Sequence, residues 1–248
     1  MRVRLLVAYD GAAFSGFARN LDVVTVAETL ESMIGSICGA PVTMTGAGRT
    51  DKGVHAYGQV VTFDAPDTLD LGVVQRSVTQ RTGGDVVIRE ATVVEPTFDA
   101  RFSARWRRYR YTVVNRALPE ISMRRTAWHV AEPLSLAAMR QGAIPVVGLH
   151  DFSSFCRRPK RDDGVEVPLV RNVLAADWDE IDRGILRFEI TASAFCHQMV
   201  RSIVGTLVDV GRGHLTAGSI AAIIASRDRQ RAGQLAPAHG LSLHEVGY

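Results

Sequence analysis

Lysine is almost missing from this chain: Lys52 and Lys160 are the only two among 29 basic residues. Arginine therefore carries nearly all the positive charge, and its planar guanidinium makes bidentate and stacking contacts that an ammonium cannot. Cysteine is scarce too. Cys38, Cys156 and Cys196 are odd in number and widely spaced, with no Cys-x-x-Cys and no paired histidines, so neither a zinc site nor a disulfide framework is expected. Cys196-His197 suggests a nucleophile, but it lies in an apolar run where a free cysteine behaves as a small hydrophobe. Three reduced thiols in a cytoplasm are the reading. Apolar stretches are all shorter than a membrane span, and Met1 to Asp10 has no long apolar region leading to a cleavage site, so it reads as a first strand. A low-complexity linker is lacking as well, which predicts one cooperative unit.

What is present suits a soluble globular protein: 248 residues, 46% hydrophobic and 22% charged. The net charge of +3 is modest, but it is unevenly spread. Residues 101 to 125 hold Arg101, Arg105, Arg107, Arg108, Arg110, Arg116, Arg124 and Arg125 against the single acid Glu120. A second cluster is Arg157-Arg158-Pro159-Lys160-Arg161. Such patches attract phosphate backbones, although a solvated arginine-rich face is the plainer reading. Trp106, Tyr109 and Tyr111 interleave with the first cluster, and rings there can stack on unpaired bases, which favours RNA. Replacing Arg107 and Arg108 is accordingly expected to flatten the salt dependence of RNA binding.

The most informative segment is Gly46-Ala47-Gly48-Arg49-Thr50-Asp51-Lys52-Gly53-Val54-His55-Ala56. It fails the P-loop pattern, because Lys52 precedes Gly53 with no hydroxyl residue following. It fails the dinucleotide fingerprint, because Asp51 stands where the third glycine belongs. Its glycines let the backbone turn tightly or lie close to a ligand. Arg49 and Lys52 flank Asp51 and favour its ionised form, so the carboxylate can act as a nucleophile or stabilise a developing cation. A capping or Asx-turn aspartate is the alternative.

The periodicity predicts strands near Arg2 to Tyr9, Gly58 to Phe63, Asp85 to Val94, Arg107 to Val114, Val170 to Trp178, Ile185 to Ala192 and Leu241 to Val246. Helices are predicted around Val26 to Ile37, Leu71 to Thr82, Leu136 to Val147 and Gln198 to Val210, with Pro145 expected to kink or end the third. This order reads as two similar βαββαβ-like halves, residues 1–104 and 105–248, in an α+β fold with mainly antiparallel sheets. On a strand, Arg107, Tyr109 and Tyr111 share one face. Arg201 lies on an apolar helix and needs a partner, with Asp51 the expected one and a route to the surface the alternative. His55 and His197 lack metal-ligand spacing and read as structural.

Six motifs in order resemble the TruA-type tRNA pseudouridine synthases along essentially the whole chain. They are Ala8-Tyr9-Asp10-Gly11, the Gly48 to Val60 segment, Phe98-Asp99-Ala100-Arg101-Phe102-Ser103-Ala104, His150-Asp151-Phe152-Ser153-Ser154-Phe155, Ala194 to Arg201, and Ala236-Pro237-Ala238-His239-Gly240-Leu241. The chain departs from the family pattern at Gly16-Phe17-Ala18, Val78-Thr79 and Cys196-His197-Gln198. The resemblance implies the pseudouridine synthase fold, two subdomains whose sheets join across a central cleft, and isomerisation of uridine to pseudouridine at positions 38 to 40 of the tRNA anticodon stem-loop. It implies Asp51 as the catalytic residue, Tyr109 stacked on the target base, and Arg49 and Arg201 as substrate-binding residues. No cofactor or metal is implied, and the partners are tRNA and a second copy in a homodimer. A tRNA-binding chaperone without chemistry and a hydrolase releasing free uracil remain the rivals.

Overall fold

The computed structural model describes residues 1–158 and 167–248, so Pro159, Lys160 and Arg161 of the second basic cluster lie outside the described residues. In chain order the elements are β1 (Arg2–Tyr9), α1 (Val26–Cys38), β2 (Thr45–Gly46), β3 (His55–Asp64), α2 (Leu71–Arg81), β4 (Val86–Val94) and β5 (Trp106–Val114). They continue with β6 (Trp128–His129), α3 (Leu136–Ala143), β7 (Gly148–Asp151), β8 (Val170–Asp182), β9 (Ile185–Ala192), α4 (Met199–Gly211), α5 (Ser219–Ser226) and β10 (Leu241–Gly247). The architecture is α+β with mostly antiparallel pairing. The chain divides into two compact units, Met1–Arg107 with Ser242–Tyr248, and Arg108–Leu241. No helix among the described residues is long and apolar enough to cross a membrane.

In the first unit the strand order is β4-β1-β3-β10, with β2 beside β3. Alternation along β1 buries Val3, Leu5, Val7 and Tyr9 on one face. The strand pairs antiparallel with β3 (Leu5 opposite Val61) and with β4 (Leu5 opposite Ala91). Helix α1 starts at a Thr25 N-cap, whose hydroxyl accepts from the Glu28 N–H at 3.4 Å. It ends on Gly39, whose φ of 69° suits the left-handed cap. Val26, Leu30 and Ile34 line its buried face, and complete burial of a leucine such as Leu30 contributes about 2 kcal/mol. Asp70 caps α2 by accepting from the N–H groups of Gly72 and Val73.

In the second unit the order is β5-β9-β8-β7, with β6 parallel to β5. The β8–β9 hairpin places Trp178 opposite Phe188, their ring centroids 5.1 Å apart and both side chains fully buried. Helix α4 is apolar on almost every side, and of its thirteen residues only Arg201 and Asp209 are not buried.

Three features depart from the sequence reading. The third helix stops at Ala143 rather than Val147, and the break expected at Pro145 is a 3-10 turn over Ile144–Val146, because Pro145 has no N–H to continue the α-ladder. Short elements α5 and β7 emerge from segments given no structure. The last strand departs from the two-half order, since β10 lies parallel to β3 with Ser242 opposite His55. The expectation of reduced thiols is also corrected: Cys156 and Cys196 form a disulfide with their Cα atoms 5.8 Å apart across a separation of 40 residues, leaving Cys38 free. Spacing could not reveal this pair, because folding brings together the turn after β7 and the loop before α4.

Candidate active site

The Asp51 loop belongs to the first unit and is tied down at alternate points. Ala47 N–H donates to the Val60 carbonyl at 2.8 Å. Gln59 clamps Gly48 from both sides, its amide nitrogen donating to the Gly48 carbonyl at 2.7 Å while its oxygen accepts from the Gly48 N–H at 3.3 Å. Thr50 is buried, with its hydroxyl 2.7 Å from the Tyr9 phenol and its carbonyl accepting from the Phe17 N–H at 3.1 Å. The turn closes through Val54 N–H to the Asp51 carbonyl at 3.1 Å, with Gly53 at φ 78° supplying the left-handed step. Gly46 has a different reason to be glycine, because a Cβ there would lie 2.3 Å from the Phe17 ring. Between these anchors Arg49 and Lys52 are exposed and Asp51 is half-buried. The sequence presents a short carboxylate at the mouth of a rigid turn, which is the geometry a nucleophile or an electrostatic stabiliser needs.

Two further residues hold this loop, Arg107 in a role the sequence did not indicate and His55 in the structural role expected of it. Arg107 donates from Nε and Nη2 to the Ala47 carbonyl (3.2 and 3.0 Å), from Nη2 to the Arg101 carbonyl (2.8 Å) and from Nη1 to the Ala104 carbonyl (3.3 Å). Behind it Ala47, Val60 and Ala100 form an apolar cluster with Leu6, Val246 and Tyr248. His55 is buried, and its Nδ1 accepts from the Gly11 N–H at 3.1 Å, the structural role expected of it.

Tyr9 gives the loop a pH dependence. Burial pushes its phenol up to about 12, with the hydrogen bonds to Thr50 and Gln59 opposing. An unfolded tyrosine ionises near 10, so between pH 10 and 12 the unfolded chain holds fewer protons and stability falls as pH rises. Burial raises Tyr111 and Tyr248 in the same direction. Urea midpoints measured from pH 9 to 12 are expected to decline less steeply in Tyr9→Phe than in the wild type, and equal slopes would refute the assignment.

The second unit carries Tyr109 and Arg201. On β5 the burial pattern puts Tyr109, Tyr111 and Val113 on the buried face. Tyr109 is 7% exposed, and its ring meets Phe195 edge-on with centroids 4.9 Å apart. Tyr111 is fully buried, its hydroxyl donating to the Pro237 carbonyl at 2.8 Å. The opposite face carries Arg108 and Arg110, both paired with Glu189, at 3.5 and 2.6 Å. Arg201 is clasped to the terminal motif: its Nε donates to the Ala236 carbonyl at 2.8 Å, and its own carbonyl accepts from the Ala236 N–H at 3.2 Å. Phe195 belongs to the Ala194 to Arg201 motif, but one aromatic in an apolar run does not announce a ring contact with a residue 86 positions earlier.

The Arg107 guanidinium donates to backbone carbonyls, which orient it without cancelling its charge, and Arg108 lies against Glu189 and Thr191. Among the described residues no group of His, Cys, Asp and Glu could hold a metal ion. A cavity of about 280 Å³ in the second unit, walled by Met123, Trp128, His129 and His239, contains none of the four expected site residues.

Comparison with known proteins finds relatives along the whole chain. The family model described as tRNA pseudouridine synthase matches residues 143–248. The chain is 41% identical over 269 residues to tRNA pseudouridine synthase A of Leifsonia xyli subsp. xyli, covering 100% of this chain and 91% of the relative. It is 38% identical over 247 residues to the protein of the same name from Acetivibrio thermocellus, covering 99% of each. For the protein of that name from Halalkalibacterium halodurans, the figures are 39% over 241 residues, 97% of this chain and 90% of the relative. Similarity of this degree along the whole length places the chain in the tRNA pseudouridine synthase A family.

Proposed function

We propose that this isomerase converts uridine to pseudouridine at positions 38 to 40 of the tRNA anticodon stem-loop, with Asp51 as the catalytic carboxylate. The reaction breaks the bond from uracil N1 to ribose C1′, turns the base, rejoins it through C5 and removes the C5 proton. Atoms are conserved, so the demands are a carboxylate at the nucleotide, groups that retain the detached base, a proton route and extrusion of the nucleotide from its stack. The observation that carries the reading is the anchored turn that presents Asp51 half-buried between exposed Arg49 and Lys52, within a chain similar along its length to enzymes of this name.

Arg49 is assigned to holding the displaced nucleotide or a neighbouring phosphate, and Arg201 to substrate binding. Tyr109 is assigned to the face of the target uracil, positioned by the edge of Phe195. The test is tritium release from tRNA labelled at C5 of uridine. Release tracking pseudouridine formation at positions 38 to 40 is expected, whereas binding without release would favour a chaperone, and free uracil a hydrolase.

The assembly is assigned as a homodimer in the cytoplasm, where tRNA is the substrate. The cysteines no longer contribute to that location. Light scattering at working concentration is expected to give twice the 27.0 kDa chain mass, and a monomeric mass would remove the dimer.

A further inference from the structure

The turn Phe98 to Ala104 holds an apolar ring in water. Phe102 is 80% exposed, yet the backbone beneath it is fastened on several sides. The Asp99 carboxylate accepts from the N–H groups of Arg101 and Phe102, both at 2.8 Å. Ser103 N–H donates to the Asp99 carbonyl at 3.0 Å, and the Ser103 hydroxyl accepts from the Asp99 N–H at 3.1 Å. Ala100, fully buried, donates to the Thr62 hydroxyl at 3.2 Å and accepts from the Tyr248 hydroxyl at 2.9 Å. The guanidinium of Arg101 lies over the Phe102 ring, 5.3 Å from its centroid, and Arg105 is also exposed. Arg107 joins this turn to the Asp51 loop, because one guanidinium donates to both the Arg101 and Ala47 carbonyls.

We propose that Phe102 is a stacking platform for an unpaired base of the RNA substrate, with Arg101 and Arg105 taking the flanking phosphates. The inference rests on the proposed function and adds a binding residue to it. An exposed ring beside arginines matches the chemistry of single-stranded RNA, which offers a π-face next to a negative charge. A protein partner would be drawn by apolar area, and a lone ring bordered by cations offers little. The shared Arg107 brace keeps the platform in fixed register with Asp51, so a base stacked on Phe102 helps set which nucleotide reaches the carboxylate.

The experiment compares wild type, Phe102→Ala and Phe102→Trp for binding to an anticodon stem-loop hairpin and to the same hairpin with abasic residues in its loop. On the intact hairpin the alanine variant is expected to bind about tenfold more weakly, with tryptophan restoring affinity. On the abasic hairpin all three should bind alike, and the salt slope should be unchanged, since no charge is lost. Thermal midpoints should coincide because the ring is exposed. Wild-type affinity in Phe102→Ala, or an equal loss on both hairpins, would overturn this inference while leaving the enzyme reading in place. A wild type that neither binds nor turns over tRNA would overturn both.

Discussion

Asp51→Asn is expected to abolish tritium release from C5-labelled tRNA while leaving tRNA affinity within about twofold of wild type. The substitution keeps the side chain's size and removes the negative charge. An amide oxygen is a poor nucleophile and cannot balance a cation developing at the sugar, so a loss of about 10⁴-fold or more in rate is expected. The loop keeps the anchors that other groups supply: Gln59 on Gly48, Tyr9 and Phe17 on Thr50, and the Asp51 backbone carbonyl accepting from Val54. Single-turnover assays with enzyme in excess separate chemistry from product release. Release by the variant at more than a tenth of the wild-type rate would remove Asp51 from the chemistry.

Gly11→Ala is the second large effect, and it acts through packing. A Cβ at Gly11 would lie 2.1 Å from the Val54 carbonyl oxygen, 2.4 Å from the Val54 carbonyl carbon and 2.9 Å from the Gly53 carbonyl carbon. These are backbone atoms and cannot rotate aside, so the turn that ends the Asp51 loop must move. Overpacking of this kind costs about 2–3 kcal/mol, which lowers the melting midpoint by about 5–10 °C in a chain of this size. A displacement of about 1 Å at the carboxylate would add a rate loss of about 10²-fold. Gly39→Ala is the control. Gly39 has φ 69° with nothing within 4 Å of its would-be Cβ, so the variant should lose about 1 kcal/mol from backbone strain and keep full turnover. If both variants lose stability and activity alike, the close approach of Gly11 to Val54 does not govern the loop.

Most of the regular structure was legible locally. The alternation of Val3, Leu5, Val7 and Tyr9 marks β1, and Thr25 at one end with Gly39 at the other marks the limits of α1. The break at Pro145 follows from a missing donor. Weak local signals account for the misses. Helix α5 is eight residues with no side-chain cap, and β7 is a four-residue strand defined mainly by its pairing with β8.

The candidate site was legible for a different reason. Asp51, its flanking cations and its glycines occupy consecutive positions, so the chain alone determined that a carboxylate sits in a tight basic turn. The ordered motifs tied that turn to a family. Everything dependent on distant partners was decided by the tertiary structure. It assigned Arg107 to four bonds with backbone carbonyls, Gln59 to a clamp on Gly48, and Phe195 to the ring of Tyr109. It also joined Cys156 to Cys196 and laid β10 beside β3. Propensity and spacing act over a few residues, whereas these contacts, apart from the two Arg107 bonds to Arg101 and Ala104, span 11 to 187 positions and form only when burial of the strands and helices brings their side chains together.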